Sequence, residues 1–102
     1  MLALTVNFRV KPEDADSFRA AILANAASSL ENEPGCYVFD VCELAGGEFF
    51  LYEVYENAAA IDFHRASAHF AKFDSASAPW ITDKKIGCYE VVKNRIGQKR
   101  PS

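Results

Sequence analysis

The chain has 102 residues, half of them apolar and a quarter charged, with a formal charge of −3. That length holds one domain with one modest core. The acidic balance argues against a nucleic-acid surface, which needs a basic excess, and no apolar run is long enough to span a membrane.

The start of the chain lacks a basic segment followed by an apolar block, so no signal peptide is expected. The cysteines at 36, 42 and 88 have no metal-like spacing and leave an odd one out. Reduced thiols in a cytoplasmic protein are the simplest expectation. The one basic cluster, Lys93-Asn94-Arg95 to Lys99-Arg100, is terminal and reads as a solvated end. We expect one domain over residues 1–96 and a tail over 97–102.

Leu2 to Val10 alternates apolar and mixed positions, which predicts a strand. Asn7 is a poor strand former in its middle. It is either a solvent-facing polar residue or an amide aimed into a pocket. Pro12, Glu13 and Asp14 suit a helix start. Ala15, Phe18, Ile22, Ala26 and Leu30 then form an apolar stripe that predicts a helix to about Glu31. Asn32-Glu33-Pro34-Gly35 ends it. Asn25 flanks the stripe, either bonded to nearby backbone or reaching over the edge of a sheet.

Cys36 to Leu44 is a second predicted strand, and Ala45-Gly46-Gly47-Glu48 a hairpin loop. Phe49 to Tyr55 is the third strand. It carries large apolar groups on both faces and must be covered on both. Its own helices cover one, and a second copy of the sheet is the simplest cover for the other. Glu53 shares the face of Leu51 and Tyr55, where a carboxylate must be paired, solvated or protonated. Asn57 caps a predicted helix over Ala58 to Ala66 that directs His64 inward or to the rim. Ser67 or Ala68 starts a further short helix with His69 near its beginning. Ser75 to Pro79 reads as a turn, Trp80 as a closing residue, and Ile86 to Lys93 as the last strand.

The order β-α-β-β-α-β, with a broken second helix, predicts an α+β ferredoxin-like fold: an antiparallel sheet with helices on one face. Two such sheets face to face make a dimeric α+β barrel, so a homodimer is expected.

There is no glycine-rich phosphate loop and no nucleophile elbow. His64 and His69 are five apart and miss the i, i+4 spacing for joint ligation on one helix, so neither a metal nor any other cofactor is expected. Histidine suits proton transfer at cellular pH. From residue types alone, His64 and His69 are either proton-handling groups or packed structural histidines, and the aromatics are either core or ligand box.

The run from 49 to 70 resembles the antibiotic biosynthesis monooxygenase superfamily. The resemblance is carried by Tyr52-Glu53-Val54-Tyr55, by Asn57 to Ile61, and by His64-Arg65-Ala66-Ser67-Ala68-His69-Phe70. Upstream, Glu33-Pro34-Gly35-Cys36 and Phe39-Asp40-Val41 match the same pattern. The motifs are individually loose, but their order and spacing span the chain from Leu4 to about Lys93. The resemblance implies a small dimeric α+β barrel. Members oxidise quinols or aromatic polyketides with molecular oxygen and no cofactor, degrade haem, or isomerise phosphorylated autoinducer-2. The haem degraders carry a tryptophan where this sequence has His64. The autoinducer-2 branch usually has Asn-His where this sequence has Asn25-Ala26.

The resemblance therefore implies a cofactor-independent monooxygenase of small quinol, phenolic or enolisable substrates. Its alternatives are an isomerase of autoinducer-2-type keto sugar phosphates and a non-catalytic, stress-related or ligand-carrying barrel. In the enzymatic versions His64 abstracts a proton, and Tyr52 and Glu53 orient or relay protons. Asn7 or Asn25 binds the developing oxyanion. His69 and Arg65 complete the substrate site, and Trp80 caps it.

Overall fold

The alternating apolar residues of the first segment do what period two requires. Leu4, Val6, Phe8 and Val10 are buried on one side of strand β1 (Leu2–Val10) in the computed structural model, which describes residues 1–93. Helix α1 (Ala15–Asn32) follows a 3-10 turn at Pro12–Asp14. Strands β2 (Cys36–Leu44) and β3 (Glu48–Tyr55) form a hairpin whose turn places Gly46 and Gly47 at φ 89°. Side chains rarely adopt that conformation and glycine adopts it freely. Two short helices, α2 (Ala58–Arg65) and α3 (Ala68–Ser77), precede a 3-10 turn at Ala78–Trp80 and strand β4 (Ile81–Glu90).

The sheet order is β2-β3-β1-β4, antiparallel throughout. This is the expected α+β ferredoxin-like fold. Cross-strand partners share a face. Leu4, Val6 and Phe8 lie opposite Glu53, Leu51 and Phe49, and their side of the sheet carries the helices. Thr5 and Asn7 lie opposite Tyr52 and Phe50 on the helix-free side. The core sits between sheet and helices. Its centre is the aromatic group Phe8, Phe18, Phe49 and Phe73, with ring centroids 4.7 to 6.1 Å apart.

Three expectations change. The apolar stripe of α1 does not continue to Leu30, which is 48% exposed. The inward face runs through Phe18, Ile22, Asn25, Ala26 and Ser29, because a 3.6-residue repeat started at Phe18 reaches 25 and 29 rather than 30. The last strand starts at Ile81 rather than Ile86. Its polar run Thr82-Asp83-Lys84-Lys85 pairs with β1 at the edge of the sheet, a place where charge discourages pairing with another chain. The segment Ser75 to Ser77, expected as a turn, is still helical.

The expected boundary at 96 and the tail 97–102 lie outside the described residues, as does most of the basic cluster. No described helix is long and apolar enough to cross a membrane.

Candidate active site

The site is built at the end of α1. Its inward face carries Asn25, Ser29 and Glu33 at four-residue intervals, all 4% exposed or less. Glu33 is the C-cap of α1, in extended conformation (φ −109°, ψ 105°) ahead of Pro34. The residue before a proline is driven out of the helical region, so the side chain leaves the helix there. Gly35 then passes close against α2: a Cβ at this position would stand 2.7 Å from the Ala60 Cβ. The chain turn therefore presses Glu33 toward α2.

Asn57 caps α2 by accepting the Ala60 amide through its side chain, as expected. Ile61 and His64 form the buried face of α2. His64 Nδ1 lies 2.8 Å from Glu33 Oε2 and 3.3 Å from Ser29 Oγ. Ser29 Oγ donates to the Asn25 carbonyl oxygen, which leaves its lone pairs free to accept from Nδ1–H. His64 thus donates from Nδ1, which leaves Nε2 unprotonated, and the residue lines a cavity. Its ring packs edge-on against Phe70 and is tilted against Tyr55 and Phe39. Burial pushes the His64 pKa down, against the raising effect of Glu33. The ring is therefore neutral at neutral pH, with a lone pair available on Nε2.

A break separates α2 from α3. Ser67 caps α3 by accepting from the Phe70 amide and donates to the His64 carbonyl oxygen. The break turns α3 so that His69 Nε2 also binds Glu33 Oε2. One carboxylate oxygen thus holds both histidines.

The cavity beside His64 has about 60 Å³ of space and is lined by Asn25, Phe39, Leu51, Glu53, His64 and Phe70, among others. Arg65 and Lys84 stand at its exposed rim. Across the sheet lies a larger concavity of about 580 Å³, lined by Asn7, Phe50 and Lys85 among others. It lacks the buried titratable cluster, so the smaller cavity is the better site candidate.

Of the residues expected in the site, His64, Glu53, Asn25 and Arg65 meet at this cavity. His69 stands behind His64. Tyr52 does not join them, because β3 alternates: Glu53 faces the helices and Tyr52 the other side. The tyrosine beside Glu53 is Tyr55, whose hydroxyl donates to Glu53 Oε1 at 2.5 Å. Asn7 sits on the helix-free face for the same reason of alternation, so Asn25 is the amide at the cavity. Trp80 does not cap the cavity. It packs against the core near the end of β1, where its carbonyl oxygen accepts from the Lys11 amide. Sequence reasoning missed Glu33, Ser29, Tyr55 and Lys84 as site residues.

Residues 1–76 match the family model described as antibiotic biosynthesis monooxygenase. A Mycobacterium tuberculosis protein named "Putative monooxygenase Rv0793" is 36% identical over 82 residues, covering 79% of this chain and 80% of that protein. The chain belongs to the antibiotic biosynthesis monooxygenase family. The solved structure of Rv0793 superposes with a TM-score of 0.83 over 91% of this chain and 96% of its own. A Nitrosomonas europaea structure described as a "putative antibiotic biosynthesis monooxygenase" gives 0.86 at 27% identity, over 91% of this chain and all of that one.

The family match contains Asn25, Ser29, Glu33, Glu53, Tyr55, His64 and His69, and it ends before β4, which brings Lys84 and Ile86 to the cavity. Within this family frame Glu53 has a measurable signature. Desolvation pushes its pKa up to about 7, opposed by the Tyr55 hydrogen bond and by the charges of Arg65 and Lys84. The ordinary value is 4.5, so the folded chain keeps this proton where the unfolded chain releases it. The stability tied to Glu53 is therefore complete below pH 4.5, falls as pH rises to about 7, and is gone above that. The shift corresponds to about 3 kcal/mol. Denaturation of the wild type and Glu53→Gln across that range checks this. The wild type should lose about that much relative to the variant, and parallel profiles would contradict it.

Proposed function

We propose that this protein is a cofactor-independent monooxygenase of small quinol, phenolic or enolisable substrates, with His64 as the base. The observation that carries this reading is the buried Glu33–His64 pair, with Nδ1 on the carboxylate and His64 itself lining the cavity. A carboxylate holding one imidazole nitrogen fixes the tautomer and stabilises the imidazolium that forms when the other nitrogen takes a proton. In this reading Asn25, which lines the cavity, donates through its side-chain amide to the phenolate or enolate oxygen as its charge develops. Glu53, near its titration point at neutral pH, supplies or accepts a proton on the sheet side. The carbanion, or the phenolate reacting at ring carbon, then adds molecular oxygen to give a hydroperoxide. Loss of the remaining C–H proton breaks the O–O bond, so that one oxygen atom stays as a carbonyl, the other leaves as water, and the substrate supplies all four electrons. About 60 Å³ holds no more than about two waters, so an aromatic ring enters only as Phe70 and the exposed Ile86 move aside.

One observation favours a second reading. Arg65 and Lys84 both stand at the rim, and two cations suit a phosphate. This supports an isomerase of keto sugar phosphates, in which His64 removes a proton that returns at another carbon. Oxygen uptake with a panel of quinols and dihydroxy aromatics, beside NMR of a phosphorylated keto sugar, separates the two. Uptake dependent on His64 supports the oxygenase, and rearrangement without uptake supports the isomerase. Silence in both overturns the enzymatic reading in favour of a ligand-binding barrel.

The protein acts, in this reading, as a homodimer with the helix-free faces in contact. Leu44, Phe50, Tyr52 and Tyr89 are large apolar or aromatic groups left 37 to 66% exposed there. Such an interface buries on the order of 2,000 Å² or more. Sedimentation should report a dimer at micromolar concentration, and a stable monomer would contradict the arrangement.

A further inference from the structure

Glu33, His64 and His69 converge in a way that their spacing in sequence conceals. Glu33, His64 and His69 each offer one donor atom, and these three atoms lie within 4.8 Å of one another; Glu33 Oε2 bonds both His64 Nδ1 and His69 Nε2. They come from the C-cap of α1, the last turn of α2 and the first turn of α3. On one continuous helix, residues five apart diverge; the break at Ser67 removes that constraint. The five-residue spacing excludes joint ligation only on one helix, and these two histidines stand on different helices.

The carboxylate is 3% exposed. Among the described residues its ion-pair partners are the two imidazoles, with no lysine or arginine. Its second oxygen, Oε1, is buried without a hydrogen-bond partner. A buried carboxylate without a fixed cation is costly, and an orphaned oxygen adds to that cost. Two imidazole nitrogens and a carboxylate form a donor set suited to zinc and its first-row neighbours. Bonds of about 2.0–2.2 Å place such donors roughly 3.3 Å apart. The separations here run from below that figure to at most 4.8 Å, so small side-chain rotations close the set.

We infer that Glu33, His64 and His69 form a binding site for a divalent first-row transition-metal ion of the zinc type. The ion takes Glu33, using the free Oε1 as well as Oε2, with His64 Nδ1 and His69 Nε2. It displaces the protons of the present hydrogen bonds. A neutral imidazole bound through Nδ1 carries its proton on Nε2 and has no lone pair for the cavity. A bound ion is therefore an inhibited state of the base proposed above. The binding inference stands on the donor geometry and holds or fails without that reading.

The test uses the full chain, freed of metal with a chelator and dialysed against zinc or cobalt. Elemental analysis should give one ion per chain. The cobalt form should show visible bands of nitrogen and oxygen ligation without thiolate charge transfer, which sets this site apart from the three free cysteines. Glu33→Gln and His69→Asn should each weaken binding by at least the ~10–100-fold typical of losing an outer-shell partner. Failure to bind stoichiometrically, a thiolate band, or affinity unchanged in either variant overturns the proposal. If the variants do not fold, the stoichiometry and cobalt spectrum of the wild type decide.

Discussion

His64→Ala lowers turnover by ~10²–10⁴-fold, the contribution typical of a positioned general base, and leaves the fold intact. Of the chain's two histidines, His64 is the one that lines this cavity. The fold survives because Glu33 keeps His69 as a partner and the core lies elsewhere, around Phe18. His64→Asn retains a donor near Glu33 and should show the same loss of rate. Tyr52→Phe, on the far side of the sheet, should leave turnover unchanged. Steady-state rates on a substrate found by oxygen uptake, with circular dichroism for folding, decide this. Activity retained in His64→Ala, or lost in Tyr52→Phe, contradicts the assignment.

Phe18→Ala costs roughly 3–5 kcal/mol of stability. Phe18 is fully buried and meets three other rings: Phe8 at 5.0 Å, Phe49 at 4.7 Å and Phe73 at 5.6 Å. Alanine leaves a void bounded by β1, β3 and α3, and these elements cannot collapse onto it together. A domain of this size has about 5–15 kcal/mol in all, so the variant keeps only a fraction of its margin. Denaturant titration should show a lower midpoint at an unchanged slope. A cost under about 1 kcal/mol would mean that the aromatic group is not the centre of the core.

Much of the fold was legible because its strands alternate and its turns are written in Pro, Gly and Asn. β1, β2 and the Asn57 cap follow from local pattern alone. β4 was not legible at its start, because Thr82 to Lys85 are polar and an edge strand needs no apolar face. Half of the site was legible for a like reason: histidine and a strand carboxylate stand out by residue type. Glu33 did not, since Glu-Pro-Gly reads as punctuation. Two physical signals pointed to it. Asn25, Ser29 and Glu33 repeat every four residues on the inward face of α1, and an acidic group at a helix C-terminus opposes the dipole. Tyr52 and Asn7 fell on the wrong side because being near a motif in sequence does not override the strict alternation of a strand. Lys84 reaches the cavity only through strand pairing, which no local pattern discloses.

Glu33 holds His64 as a neutral ring with its proton on Nδ1 and its lone pair on Nε2. Long-range nitrogen–proton NMR of metal-free protein at neutral pH reads this directly. The spectrum should show a protonated Nδ1 and a bare Nε2 for His64, with the tautomer becoming mixed in Glu33→Gln. A ring protonated at Nε2, or charged at both nitrogens, would contradict it.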